Sequence, residues 1–116
     1  MTNDDMDDIF HALAHAIRRQ ILDLLKAKPG QGVGELAQAF DVSRIAIMNH
    51  LTVLERAGLI VSEKQGRKRC LYINTVPIQL VRDRWINAID APFAERIANI
   101  KHAAEDAAKK KDQINE

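Results

Sequence analysis

Cysteine is nearly absent: the 116-residue chain holds one, Cys70. A single thiol excludes an intramolecular disulfide and any metal cluster built only from the cysteines of one copy. Long apolar runs are missing as well, and none approaches the ~18 residues that span a bilayer. The first eight residues, MTNDDMDD, are acidic where a secretory leader would be basic. Together these absences predict a cytoplasmic protein with no membrane partner. Internal repeats and low-complexity linkers are lacking too. An enzyme needs a nucleophile beside a base, or a metal cluster in a pocket, and the chain offers only scattered histidines and Cys70. No catalytic residue and no cofactor is expected.

What the chain has is 47% hydrophobic and 28% charged residues, ample for a packed core and ordinary for a globular protein. At this length one domain over residues 1–116 is expected. The net charge of +1 conceals an uneven distribution. Between Ser43 and Arg69, six basic residues (Arg44, Arg56, Lys64, Arg67, Lys68, Arg69) stand against Glu55 and Glu63, which leaves the rest of the chain at −3. A near-neutral chain with one basic segment suggests a polyanion engaged at one place.

Asp4, Asp5, Asp7 and Asp8 precede Ile9, Phe10 and Leu13, where the partial positive charge of a helix start favours acids. Ile17, Ile21, Leu24 and Leu25 recur at helical spacing through about Lys26, and Pro29-Gly30 with Gly32 stops that second helix. Val33, Leu36, Ala37 and Phe40 form one face of a short third helix, and Asp41-Val42 make a tight connection. Ser43 caps a fourth helix that buries Ile47, Leu51 and Leu54, runs to about Ala57 and ends at Gly58. Two β-prone runs, 59–64 and 67–74, flank a Gln65-Gly66 turn and read as a hairpin. Asn74 or Thr75 caps a further helix, Pro77 fits its first turn, and Ile78, Val81, Trp85 and Ile89 line its apolar side. Pro92 breaks or kinks that helix, after which Phe93, Ile97, Ile100 and Ala104 continue the stripe.

A short helix, a tight turn, a capped helix and then a basic hairpin make a winged helix-turn-helix. The expected fold is therefore mainly α with a small β-hairpin: helix-turn-helix over about 33–57, wing over about 59–74, and C-terminal helices over about 76–110. The capped helix suits the major groove, because Ser43 starts it and Arg44, Ile45, Met48, Asn49 and Thr52 fall on its outward side. Arg44 is able to donate a bidentate pair to guanine, Asn49 to pair with adenine, and Ile45 or Met48 to touch a thymine methyl. Lys64, Arg67, Lys68 and Arg69 cluster on the hairpin, in reach of phosphates or an adjacent minor groove. A basic loop alone is usually only solvated. Its place directly after a helix-turn-helix favours the DNA reading.

The stretch from Phe10 to Trp85 resembles the ArsR family of small bacterial winged-helix regulators, through FHALAHAIRRQIL, VGELAQAFDVSRIAIMNHLTVLERAGLI, EKQGRKRCLYIN and PIQLVRDRW. The last three segments are most similar to a branch without the metal-binding cysteines, often found beside genes for START-like proteins. The resemblance implies a homodimer that binds an operator of inverted symmetry and usually represses transcription, commonly of its own gene. It also implies that Arg44, Ile45, Met48 and Asn49 lie at recognition-helix positions, and His50 matches a frequent family histidine. Metal-sensing members carry a Cys-x-Cys-like pair where this chain reads Val33-Gly34-Glu35-Leu36-Ala37. Of a second family site, Asp-x-His with His-x-x-Glu, only His102 and Glu105 are present, with Ile89 and Ala91 at the partner positions. Half a tetrahedral site does not hold a metal. Where the family often has proline after the histidine matching His15, this chain has Ala16.

Other candidates remain beside this one. His11 and His15, four apart, would chelate zinc if they shared a helical face and a dimer supplied further ligands, which would make a metal-responsive repressor. Cys70 would sense oxidants if Arg67 to Arg69 stabilised its thiolate. His50 either contacts a phosphate or buttresses the wing. Winged helices also serve as protein-interaction modules, which have no need of Arg44 and Asn49 beside a basic wing. Finally, the stripe of Ile78, Val81, Trp85, Ile89, Phe93, Ile97 and Ile100, together with Ile9, Phe10 and Leu13, exceeds what one small core can cover. It predicts a homodimer that presents two recognition helices about one DNA turn, ~34 Å, apart.

Overall fold

A computed structural model of the chain describes residues 1–86 and 91–114. The element order is α1 (Asn3–Leu13), α2 (Ala16–Ala27), α3 (Val33–Gln38), α4 (Arg44–Arg56), β1 (Ile60–Gln65), β2 (Lys68–Ile73), α5 (Val76–Trp85) and α6 (Ala91–Ile114). It falls into two compact units, Met1–Val81 and Arg82–Glu116.

Local chemistry accounts for the boundaries in the first unit. Thr2 and Asp5 form a reciprocal capping box, each side chain bonded to the other's backbone N–H, which starts α1 earlier than its apolar residues alone indicate. The break between α1 and α2 forms without proline. His15 is extended, and its Nδ1 accepts from the Ile17 N–H at 3.2 Å, so the imidazole caps α2. The open end of α1 is closed from α2: Arg18 Nε donates to Ala12 O at 2.8 Å and Nη2 to His11 O at 2.9 Å, while Arg19 donates to Leu13 O. Ser43 Oγ accepts from the Ala46 N–H, as expected of an N-cap, and Gly58 at φ 74° turns the chain out of α4.

The hairpin turn lies one residue later than expected, which moves the strand pairing by two. Gln65 pairs with Lys68, so the two-residue turn is Gly66-Arg67 and not Gln65-Gly66. Gly66 at φ 63° supplies the positive angle that such a turn requires at its first position. Arg67 therefore stands at the tip.

The core of this unit joins α1, α2, α3, α4 and the base of the wing through Ile9, Ala12, Ile21, Leu25, Leu36, Ile47, Leu51, Leu54, Leu59 and Leu71. Burying a Leu or Ile of this kind contributes about 1.5–3 kcal/mol, and these side chains fix α4 on its inner face only. Gln31 bridges to Leu71, and its side chain donates to the carbonyls of Leu24 and Lys28, so the end of α2 is tied to β2. Asn74 Oδ1 accepts from Val76 N–H and its Nδ2 donates to Gly58 O, which joins the start of α5 to the end of α4.

In the second unit, α6 begins at Ala91 with Pro92 as its second residue, where the missing N–H has no helical partner to lose. Proline thus opens this helix. Phe93, Ile97 and Ile100 are all exposed along it. Ile89, expected on the same stripe, lies outside the described residues.

Candidate nucleic-acid interface

The inner face of α4 is spent on the core, so its outer face is free. Ile45 is 72% exposed and Met48 48%, two large apolar side chains that the chain's own core does not cover. Ser43, Arg44, Asn49 and Thr52 are also exposed. The Thr52 hydroxyl donates to its own helix at Met48 O, 3.1 Å away, which leaves its lone pairs and methyl outward. The outward set is therefore brought together as the helical spacing predicted: one long cation, one amide, one hydroxyl and two apolar contacts on a single surface.

The wing departs from expectation. Lys68 Nζ lies 2.7 Å from Glu35 Oε1, and Lys28 reaches the other oxygen at 3.4 Å. Hydrogen bonding from Lys68, the Gly32 N–H and Lys28 holds the Glu35 pKa down at about 2, and the bond to Glu35 raises the pKa of the Lys68 ammonium in return. Arg69 is paired with Glu55 of α4. Two of the four cations expected to grip phosphates are thus engaged with carboxylates of the helix-turn-helix itself. They fix the wing against α3 and α4. Arg69 stands directly across the ladder from Lys64, and Glu55 offsets that like-charge pairing. Lys64 and Arg67 have no carboxylate partner among the described residues, and both are exposed.

His50 does not buttress the wing; it faces α2. Its ring packs on His15 with centroids 4.5 Å apart, and Nδ1 lies 3.4 Å from Arg18 Nη1. Arg18 only donates, so His50 Nδ1 accepts and the ring proton sits on Nε2. Burial, helped by the neighbouring His15 and Arg18, pushes the His50 pKa below its usual 6.5. Arg18 is 8% exposed and each of its three guanidinium nitrogens is hydrogen-bonded, a buried cation that ties α1, α2 and α4 together. Sequence spacing held no signal for it, since its partners lie 6, 7 and 32 residues away.

The remaining candidates separate in space. His11 is on α1 and His15 caps α2 through Nδ1, so the pair does not share one helical face. Cys70 is buried on β2, away from the solvent that a sensing thiolate requires. Among the described residues no three His, Cys, Asp or Glu side chains converge as a metal site, and no helix is long and apolar enough to cross a membrane.

The residues expected at a dimer interface divide as well. Ile9 is 3% exposed and belongs to the chain's own core, a correction to its expected role, because its side chain is already covered within one copy. Leu13 and Val81 are half-buried against the same core. Phe10, Ile78, Trp85, Phe93, Ile97 and Ile100 remain exposed.

Comparison with known proteins places this geometry. The helix-turn-helix domain family matches residues 13–63. The transcriptional repressor SdpR of Bacillus subtilis (strain 168) is 34% identical over 74 residues, 64% of this chain and 81% of that one. The structure of an ArsR-like transcriptional regulator from Rhodococcus sp. RHA1 aligns with a TM-score of 0.67 at 32% identity, over 91% of this chain and 98% of that chain. The chain belongs to the ArsR family of winged helix-turn-helix transcriptional regulators. A homodimeric winged helix-turn-helix DNA-binding domain from Mycobacterium bovis is also similar, with a TM-score of 0.58 at 29% identity over 69% of this chain and 80% of that one. Members of this family are regulators that bind DNA, not enzymes.

Proposed function

We propose that two copies of this chain bind an operator of inverted symmetry in the cytoplasm and repress the gene it controls, without a metal or other cofactor. The observation that carries the reading is the outer face of α4. Ile45, Met48, Asn49 and Thr52 are exposed together beside a wing tip that presents Lys64 and Arg67. Asn49 is the side chain that pairs with adenine, Ile45 and Met48 suit thymine methyls, and the wing cations take phosphates. The similarity to a homodimeric DNA-binding domain and to a named repressor supports pairing and repression. Exposed Phe93, Ile97 and Ile100 on α6 supply apolar surface for a second copy. The absence of cysteine from the α3 stretch 33–37 removes the thiolates of the family's sensor site, which supports regulation that is independent of metal.

The test is titration of the chain against the DNA upstream of its own gene and against a scrambled duplex, with chelator and with added zinc. The reading expects one tight complex with two chains per operator, weaker binding to the scrambled duplex, and the same affinity with and without zinc. Indifference to the promoter at low ionic strength, or a tenfold change with zinc, overturns it.

A further inference from the structure

Between the start of α3, the start of α4 and β2 lies an open cleft of about 340 Å³. Arg44 and Arg67 line it, along with Lys68 and Arg69, and Gly32, Gly34 and the Glu35 carboxylate that holds Lys68 form the α3 side. The floor is closely built: a Cβ added at Gly32 would lie 3.2 Å from the Lys68 side chain, so the wing passes tightly over this glycine. At Gly34 such an atom would meet nothing within 4 Å, so that wall is open to an occupant.

The cations of this cleft are not equivalent. Lys68 is bound to Glu35 and Arg69 to Glu55. Arg44 and Arg67 have no carboxylate partner among the described residues, and they belong to different elements, the first residue of α4 and the tip of the wing. The first turn of α4 also carries no acid. Two unpaired guanidiniums that line one open cleft make a seat for a tetrahedral oxyanion, because each offers a planar fork of donors. A guanidinium that reads guanine must instead reach outward into the groove.

We propose that this cleft seats one backbone phosphate of the bound DNA strand between Arg44 and Arg67, so that Arg44 positions the recognition helix and does not read a base. The proposal rests on the DNA reading above and assigns a different part to Arg44 from the guanine contact that sequence spacing suggests. Glu35 and Glu55 then have a defined place in the design. They hold two cations as the rigid wall of the seat, and the two free arginines bind the ligand.

Three variants, Arg44→Ala, Arg44→Lys and Arg67→Ala, are titrated against operator and scrambled duplexes at several salt concentrations, and wild type against operators with one neutral methylphosphonate at successive positions. Arg44 is exposed, and thermal unfolding by circular dichroism confirms that each variant folds. The expected result is a loss of about tenfold for Arg44→Ala on both duplexes alike. The salt slope should flatten by about one for each copy, and Arg44→Lys should restore most of it. One methylphosphonate position per half-site should weaken wild type yet cause no further loss in Arg44→Ala. A loss at least tenfold greater on operator than on scrambled DNA, with the salt slope unchanged, makes Arg44 a base reader and overturns the proposal. Wild type that binds neither duplex at low salt overturns the DNA reading itself, an outcome distinct from the previous one.

Discussion

Lys68 Nζ lies 2.7 Å from Oε1 of Glu35, so a strand of the wing is tied to the first helix of the helix-turn-helix across 33 residues of sequence. The Glu35 carboxyl is held at about 2 by Lys68, the Gly32 N–H and Lys28. A carboxylate whose folded pKa lies below its unfolded value stabilises the fold above the unfolded value, and that contribution is lost as pH falls through the folded one. The Glu35 contribution is therefore complete above about 4.5 and disappears towards 2. Carboxyl carbon NMR of the folded chain should place the Glu35 midpoint near 2, and Glu35→Gln should remove this part of the acid sensitivity. High salt should weaken the effect, because the pair is exposed. A midpoint near 4.5 contradicts the latch.

Arg18 offers the sharpest stability test. Its guanidinium closes the end of α1 through the carbonyls of His11 and Ala12 and touches His50 of α4. Arg18→Met keeps much of the volume but leaves the buried Ala12 carbonyl without the Arg18 donor, which costs about 1–3 kcal/mol. Arg18→Lys should recover less than half, since one ammonium does not reproduce the fork. Urea unfolding of the three chains measures this directly, and a loss below ~0.5 kcal/mol contradicts the role given to Arg18.

His50 resists protonation chiefly because its ring is partly withdrawn from solvent, with Arg18 and His15 beside it adding to the effect. Below 6.5 the unfolded chain takes up a proton that the folded chain refuses, so stability falls with pH from there downwards. The His50 ring protons should titrate below 6.5 in the native chain, and a midpoint above that value contradicts the packing described.

Much of this was legible in the sequence, for physical reasons. Ser43, Gly58 and the Ile47, Leu51, Leu54 spacing define α4 because caps and periodicity act within a few residues, and all are found as expected. The hairpin was legible but its register was not, since Gln65-Gly66 and Gly66-Arg67 both place glycine in a two-residue turn and pairing with the core settles the choice. The partners of Lys68, Arg69 and His50 were hidden because ion pairs and ring contacts between distant residues leave no periodic trace. Ile9 looked like an interface residue because one chain's apolar stripe does not say which part its own core consumes.

Ile97 on α6 is 49% exposed in one copy and sits between Phe93 and Ile100 on the same apolar stripe. Ile97→Glu places a charge where a second copy is proposed to pack. Analytical ultracentrifugation should show the variant at the mass of one chain and wild type at twice that mass. Operator affinity should fall about 100-fold, because two half-sites are then bound independently. A variant that stays paired contradicts the assignment of α6 to the interface.

The central claim is a division of labour between α4, which reads bases, and the wing tip, which takes phosphates. Salt titrations of Asn49→Ala and Arg67→Ala on operator and scrambled duplexes test it most directly. The account predicts that Asn49→Ala costs ~1–3 kcal/mol on the operator alone, and that Arg67→Ala weakens both duplexes and flattens the salt slope by about one for each copy. Equal losses for the two variants on both duplexes would contradict it.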